Sequence, residues 1–194
     1  MRLFLALDID SSIRQRIARL VEGVREFAPE ARWVRPESLH ITLKFIGERQ
    51  AEWAEELKES LTNVRAPAFE LSFRGYGFFP TPKAARVFWM GIAAGAELVQ
   101  LASAVDDVCA TLGISKEEHA FSPHLTLARG GRSGSPRRQK LDKSNTKFQR
   151  LQDKLAAMNA LEFGTMTARE FFLFESKLSG GGSLYTKVAR FGLG

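Results

Sequence analysis

Ser38-Leu39-His40-Ile41-Thr42-Leu43 and Ser122-Pro123-His124-Leu125-Thr126-Leu127 are two copies of one frame, Ser-x-His-hydrophobic-Thr-Leu. Successive side chains of a β-strand point to opposite faces. Histidine and threonine, two apart, therefore share a face, and Ile41, Leu43, Leu125 and Leu127 take the other. Each copy predicts an apolar-backed strand that presents an imidazole and a hydroxyl. By the same parity Lys44, Ser38 and Ser122 fall on the motif faces. The chain has three histidines. His119 lies outside the frame and reads as a loop residue before the second strand.

The copies stand 84 residues apart. The same offset lays Arg2-Leu3-Phe4-Leu5 on Arg86-Val87-Phe88-Trp89, and Ile17, Val21 and Val24 on Leu101, Val105 and Val108. Further on the offset grows to 94, where the run from Phe69 best matches the run from Phe163. A period of about half the chain suggests two fused halves facing one another across a pseudo-two-fold axis, not a solenoid. The halves are about 1–84 and 85–194, within a single domain of 194 residues and with strands exchanged between lobes.

Local signals fill in this outline. Residues 2–8 read as a buried strand. Asp10, Ser11 and Ser12 offer caps for a helix with Ile13, Ile17, Leu20, Val21 and Val24 on one face. Further helices are predicted from Glu52 to Leu61, over roughly 96–112, and around Phe148, Leu151 and Leu155. Strands are predicted at 38–46, at 69–79 with breaks at Gly75 and Gly77, at 86–92, at 121–128, at 167–175 and at 184–191. The fold class is α+β, dominated by antiparallel sheet.

The hydrophobic share of 44% is ordinary for a globular core. The single cysteine, Cys109, lies on an apolar helical stripe and reads as core; this usage fits a reducing cytosol. Neither a signal peptide nor a bilayer-spanning run is recognisable, so a cytoplasmic location is expected. Between Arg129 and Arg150, eight basic residues face Asp142 alone, against a formal net charge of +6 for the whole chain. This basic loop, residues 130–147, reads either as a polyanion contact or as a solvated insertion.

Two imidazoles on one cavity form an acid–base pair. Histidine titrates near neutrality, so one ring can take a proton from water while the other gives one to a leaving oxygen. Hydroxyls of Thr42 and Thr126 can donate to anionic oxygens. A phosphodiester suits this set, above all a strained 2′,3′-cyclic phosphate that reacts without a metal. Two histidines without neighbouring carboxylates or cysteines are too few for a usual zinc site, so neither metal nor cofactor is expected. Lys44 and Arg129 are candidate phosphate contacts. Tyr76, Phe78 and Phe79 are candidate base-stacking residues, with core packing the competing role.

The paired His40-Ile41-Thr42-Leu43 and His124-Leu125-Thr126-Leu127 resemble the 2H phosphoesterase superfamily and its HxTx motif. Met1 to Leu7, Arg32 to Pro36, His40 to Gly47, Ser122 to Arg129 and Ser176 through Tyr185-Thr186 look like the RNA 2′,3′-cyclic phosphodiesterases, also called LigT-type 2′-5′ RNA ligases. The resemblance covers nearly the whole chain. It implies two sheets facing a central cleft, with helices outside. It implies metal-free hydrolysis of an RNA 2′,3′-cyclic phosphate to a 2′-phosphate, with His40 as proton donor and His124 as proton acceptor. It also implies a reversible 2′-5′ joining of tRNA fragments at the same site. The expected partner is RNA bearing a cyclic phosphate end, the expected state a monomer. The alternatives are a non-catalytic module that holds RNA ends, or a related enzyme acting on cyclic nucleotides or trimming RNA 3′ ends.

Overall fold

A computed structural model describes residues 1–130, 146–179 and 182–194. Most of the basic loop, 131–145, thus lies outside the described residues. The order of elements is β1 (Arg2–Asp8), α1 (Ser11–Val24), β2 (Arg32–Trp33), β3 (His40–Glu48), α2 (Ala51–Leu61), β4 (Phe69–Phe79), β5 (Val87–Ala94), α3 (Ala96–Thr111), β6 (His124–Arg129), α4 (Gln149–Ala156), β7 (Glu162–Ala168), β8 (Glu170–Ser179) and β9 (Gly182–Gly192). One sheet runs β3-β1-β8-β9 and the other β2-β6-β5-β4-β7. All pairings are antiparallel. The class is α+β, with the two sheets meeting where β3 and β6 lie against one another.

Helical spacing accounts for the outer layer. Ile13, Ile17, Val21 and Val24 are the buried stripe of α1, and Leu98, Leu101, Ala102, Val105 and Cys109 that of α3. Leu3, Leu5 and Leu7 of β1 join both stripes in one extended core. The opposite face of the first sheet holds a smaller cluster of Phe4, Ala6, Phe172 and Phe174, with Tyr185 packed on it. That face looks into the cleft.

The two sheets repeat one another strand for strand: β3-β1-β8 corresponds to β6-β5-β4. Strand β4, from the first half, sits beside β5, and β8, from the second, sits beside β1. Three expectations from the sequence need correction. The runs from Phe69 and Phe163 are not equivalents but neighbours, because β4 pairs with β7 (Phe69 opposite Ala168). The last β-run is three strands rather than two. The chain leaves the second sheet after β7 and enters the first at β8, and the break falls at Arg169. Apolar patterning is the same on both sides of the crossing, which hides it. The break expected at Gly75 is a bulge within β4, which runs on to Phe79. Gly75 takes φ +69° at a register shift against β5. Gly77 carries Trp89 across its face, and a Cβ there would stand 2.2 Å from the indole.

The offset of 84 holds for the motif strands but not for the strand beside them. Ala6 pairs with Thr42 and Asp8 with His40, whereas Trp89 pairs with Thr126 and Gly91 with His124. Strand β5 is therefore displaced from β1 by 83 residues, one fewer than the motifs. Asp8 consequently has Gly91 as its counterpart, and Ala6 has Trp89.

Candidate active site

Both motif strands bend at the same place. In β3 the register passes from Thr42 opposite Ala6 to Lys44 opposite Leu5, leaving Leu43 as the extra residue. In β6 it passes from Thr126 opposite Trp89 to Ala128 opposite Phe88, leaving Leu127. A bulge of this kind shifts which face later residues occupy. Parity alone would have kept Lys44 with His40 and Thr42. With the bulge it turns into the protein, where only 2% of its side chain is exposed.

Lys44 is therefore displaced from the motif face and does not line the site as the unbroken strand predicted. Its Nζ lies 2.6 Å from Asp106, 2.9 Å from Glu117 and 2.8 Å from the Ser115 carbonyl. Burial alone would lower the lysine pKa, but the two carboxylates outweigh it and raise it. Burial likewise pushes Asp106 up, and the Lys44 hydrogen bond and Glu117 N–H bring it below the usual range. The cluster ties β3 to α3. Lys44→Met should destabilise the fold by about 3 kcal/mol, the low end for stranding the partner of a buried pair, because Glu117 is exposed. Thermal unfolding with and without the substitution measures this; an unchanged midpoint would contradict it.

The counterpart bulge at Leu127 acts oppositely on Arg129, the last residue of β6, and turns it toward the motif face. Its positive charge contributes to lowering the His40 pKa. Arg129 itself is exposed.

Each histidine is held in the same way. His40 Nδ1 lies 2.7 Å from the Ser38 carbonyl and His124 Nδ1 lies 2.8 Å from the Ser122 carbonyl. A carbonyl only accepts, so each Nδ1 donates, and each Nε2 is left for proton exchange. The serines of the frame thus serve through their backbone oxygens. Among the described residues neither threonine hydroxyl has a hydrogen-bond partner. Both threonines are partly exposed.

The surroundings of the two rings differ. His40 rests 4.7 Å from Phe4 and stands at 90° to Tyr185 at 5.1 Å. His124 stands nearly perpendicular to Phe79 at 5.0 Å and has Trp89 at 6.3 Å. Phe79 occupies the place that Phe174 holds in the first sheet, opposite Val87 as Phe174 is opposite Phe4. Trp89 over Gly77 fills the space that Phe172 beside Ala6 fills in the other half. Of the aromatic candidates, Phe79 therefore lies at the site. Phe78 and Tyr76 pack with Phe88 in the core and are displaced from it. His119 is exposed on a bend outside the strands.

Asp8, Arg14 and Lys187 adjoin His40 and carry no sequence signal of their own. Arg14 donates to Asp8 and to the carbonyls of Ile9, Pro36 and Leu39, so it fixes the turn that enters β3. Lys187 binds the other Asp8 oxygen at 2.5 Å and lies over the Phe172 ring at 3.9 Å. Burial raises the Asp8 carboxyl, but Lys187, the Ile9 N–H and Arg14 outweigh it and hold it below the usual range. Burial pushes the His40 imidazole down to about 4, opposed by the Ser38 carbonyl and Asp8 and assisted by Arg129 and Arg14. At neutral pH the free protein thus holds His40 uncharged, with Nε2 an acceptor.

The depressed pKa links His40 to stability. In the unfolded chain a histidine titrates near 6.5, so the unfolded state binds more protons between that pH and about 4. The contribution is present above about 6.5 and is lost as pH falls through the window. Unfolding free energy should rise with pH across it, and His40→Gln should flatten the rise. An identical slope in both proteins would contradict the buried neutral imidazole.

Among the described residues, no group of three or more His, Cys, Asp or Glu side chains is gathered as a metal ion requires. None of the described helices is long and apolar enough to cross a membrane.

Comparison with known proteins adds four findings. The family model described as LigT like phosphoesterase matches residues 7–89 and 92–185. An RNA 2′,3′-cyclic phosphodiesterase of Archaeoglobus fulgidus is 33% identical over 98% of this chain and 99% of its own length. That of Methanothermobacter thermautotrophicus is 30% identical over 99% and 98%. The crystal structure of Escherichia coli LigT with 3′-AMP superposes with a TM-score of 0.75 at 27% identity, covering 99% of this chain and 97% of the other.

Proposed function

The chain belongs to the LigT-like phosphoesterases, and from that premise we propose that it hydrolyses RNA 2′,3′-cyclic phosphate ends to 2′-phosphates by paired-histidine acid–base catalysis. The observation that carries the reading is the doubled site itself: two imidazoles, each with Nδ1 donated to the carbonyl two residues before it, on strands that meet between the sheets. The whole of residues 1–194 acts as one domain in this reading. Its substrate is RNA, including the cyclic ends of tRNA fragments, and it acts as a monomer.

In this mechanism His124 Nε2 takes a proton from water as the water oxygen bonds to phosphorus. The P–O3′ bond breaks and His40 Nε2 supplies the proton to the 3′ oxygen, which leaves as a hydroxyl on the same ribose. Thr42 and Thr126 donate to the non-bridging oxygens as charge develops there. Arg129 pairs with the phosphate. His40 needs a proton that burial and the nearby arginines discourage in the free protein. The anionic phosphate reverses that balance, since a negative charge within a few ångströms favours imidazolium. The site thus charges its acid when substrate arrives. With the 5′-hydroxyl of a second RNA end in place of water, the same steps give a 2′-5′ linkage: His124 takes the hydroxyl proton, the 5′ oxygen bonds to phosphorus, the P–O3′ bond breaks and His40 protonates the 3′ oxygen.

A product assay on oligonucleotides ending in a 2′,3′-cyclic phosphate, with excess EDTA present, tests the reading. The expected product is the 2′-phosphate, at a rate the chelator leaves unchanged. Binding without turnover would favour an RNA-end-binding module. Loss of activity restored by a divalent ion would overturn the acid–base mechanism.

A further inference from the structure

Strand β2 has no counterpart in the first sheet. There β3 is the outermost strand, whereas in the second sheet β2 lies outside β6. It is only two residues long, and its side chains serve opposite faces. Trp33 pairs with Ala128, stands nearly perpendicular to Phe88 at 6.0 Å and donates its indole N–H to the Ala28 carbonyl, so it fastens the strand to the core. Arg32 takes the cleft face. It stands opposite Arg129, which stands opposite Val87, which stands opposite Phe79. This row crosses four strands and ends at the Phe79 ring beside His124.

Like charges directly opposite on paired strands repel, with their Cβ atoms roughly 4.5–5.5 Å apart. Among the described residues neither Arg32 nor Arg129 has an ion-pair partner, and both are exposed. The fold thus adds a strand that sets a second unbalanced guanidinium beside the first. Anions lying over the pair turn that repulsion into charge-assisted hydrogen bonding. The reacting phosphate is already served without Arg32, since Thr42, Thr126 and Arg129 reach its non-bridging oxygens in the mechanism above. An RNA end carries a second anion, the phosphodiester that links the terminal nucleotide to the one before it. We propose that Arg32 binds this internal phosphodiester, so that Arg32 and Arg129 together span the last two phosphates and the site prefers an RNA end to a cyclic mononucleotide. The assignment rests on the acid–base reading above, because that reading puts the cyclic phosphate at Arg129.

The test compares kcat/KM for a dinucleotide ending in a 2′,3′-cyclic phosphate with kcat/KM for the matching cyclic mononucleotide bearing a free 5′-hydroxyl. Only the dinucleotide has the internal phosphodiester, and the ratio cancels any displacement of Arg129 that a change at Arg32 brings about. Arg32→Ala is expected to lower the ratio by about tenfold, chiefly through KM, as for a lost hydrogen bond to a charged group. The salt dependence of dinucleotide binding should weaken with it, because one phosphate contact is gone. A dinucleotide with an uncharged methylphosphonate linkage should show the low ratio in the wild-type protein and respond no further to Arg32→Ala. A ratio unchanged in Arg32→Ala, or equal losses on both substrates, would overturn the assignment. If the wild-type protein hydrolyses neither compound, the functional reading itself fails, and the assignment with it.

Discussion

His40→Ala and His124→Ala are each expected to lower turnover of a 2′,3′-cyclic phosphate by at least about 10²-fold, within the range of about 10²–10⁴ for a positioned proton transfer. Neither change should unfold the protein. Both rings sit on the cleft face of their strands, while Ile41, Leu43, Leu125 and Leu127 on the other face supply the buried contacts. Circular dichroism and the unfolding midpoint separate lost chemistry from lost fold. Removing both histidines should cost far less than the product of the single losses, since an acid and a base serving one transition state act as a unit. Full multiplication of the two losses would mean that they serve separate events.

Thr42→Ala and Thr126→Ala are expected to lose about 10-fold to 10³-fold in kcat, each removing one donor to the phosphoryl oxygens. The bulges make this expectation specific. Each threonine is the last residue on the motif face before its strand shifts register, at Leu43 and at Leu127. Thr→Ser keeps the donor and should recover most of the rate, whereas Thr→Val keeps the shape and should not. Valine variants with near wild-type kcat would show that the hydroxyls do not touch the transition state.

The doubled frame made the motif strands, their shared His–Thr face and the repeat legible from the sequence, because period-2 alternation and matched spacing are local signals. The helical stripes of α1 and α3 were legible for the same reason. Lys44 was misplaced because a bulge changes face without changing sequence pattern. The single extra residue at Leu43 that buries Lys44 has its counterpart at Leu127, which turns Arg129 toward the motif face. Asp8 was invisible because its partners, Arg14 and Lys187, lie 6 and 179 residues away in the chain. Only the pairing of β1 with β3 brings Asp8 to His40. Tyr76 and Phe79 lie on one strand, and only the second sheet's register places Phe79 at His124 and Tyr76 in the core.

The role of His40 can be read from the sign of a pH dependence. With both histidines present, kcat/KM should be bell-shaped with its ascending limb near pH 4, where free His40 titrates, whichever ring is the acid. The His124→Ala protein removes that ambiguity, because its residual kcat/KM depends on His40 alone. If His40 is the proton donor, that residual activity falls about tenfold per pH unit above about 4. Residual activity that instead rises up to about pH 4 and is level above it would make His40 the base. A profile with no limb near pH 4 would contradict the paired mechanism.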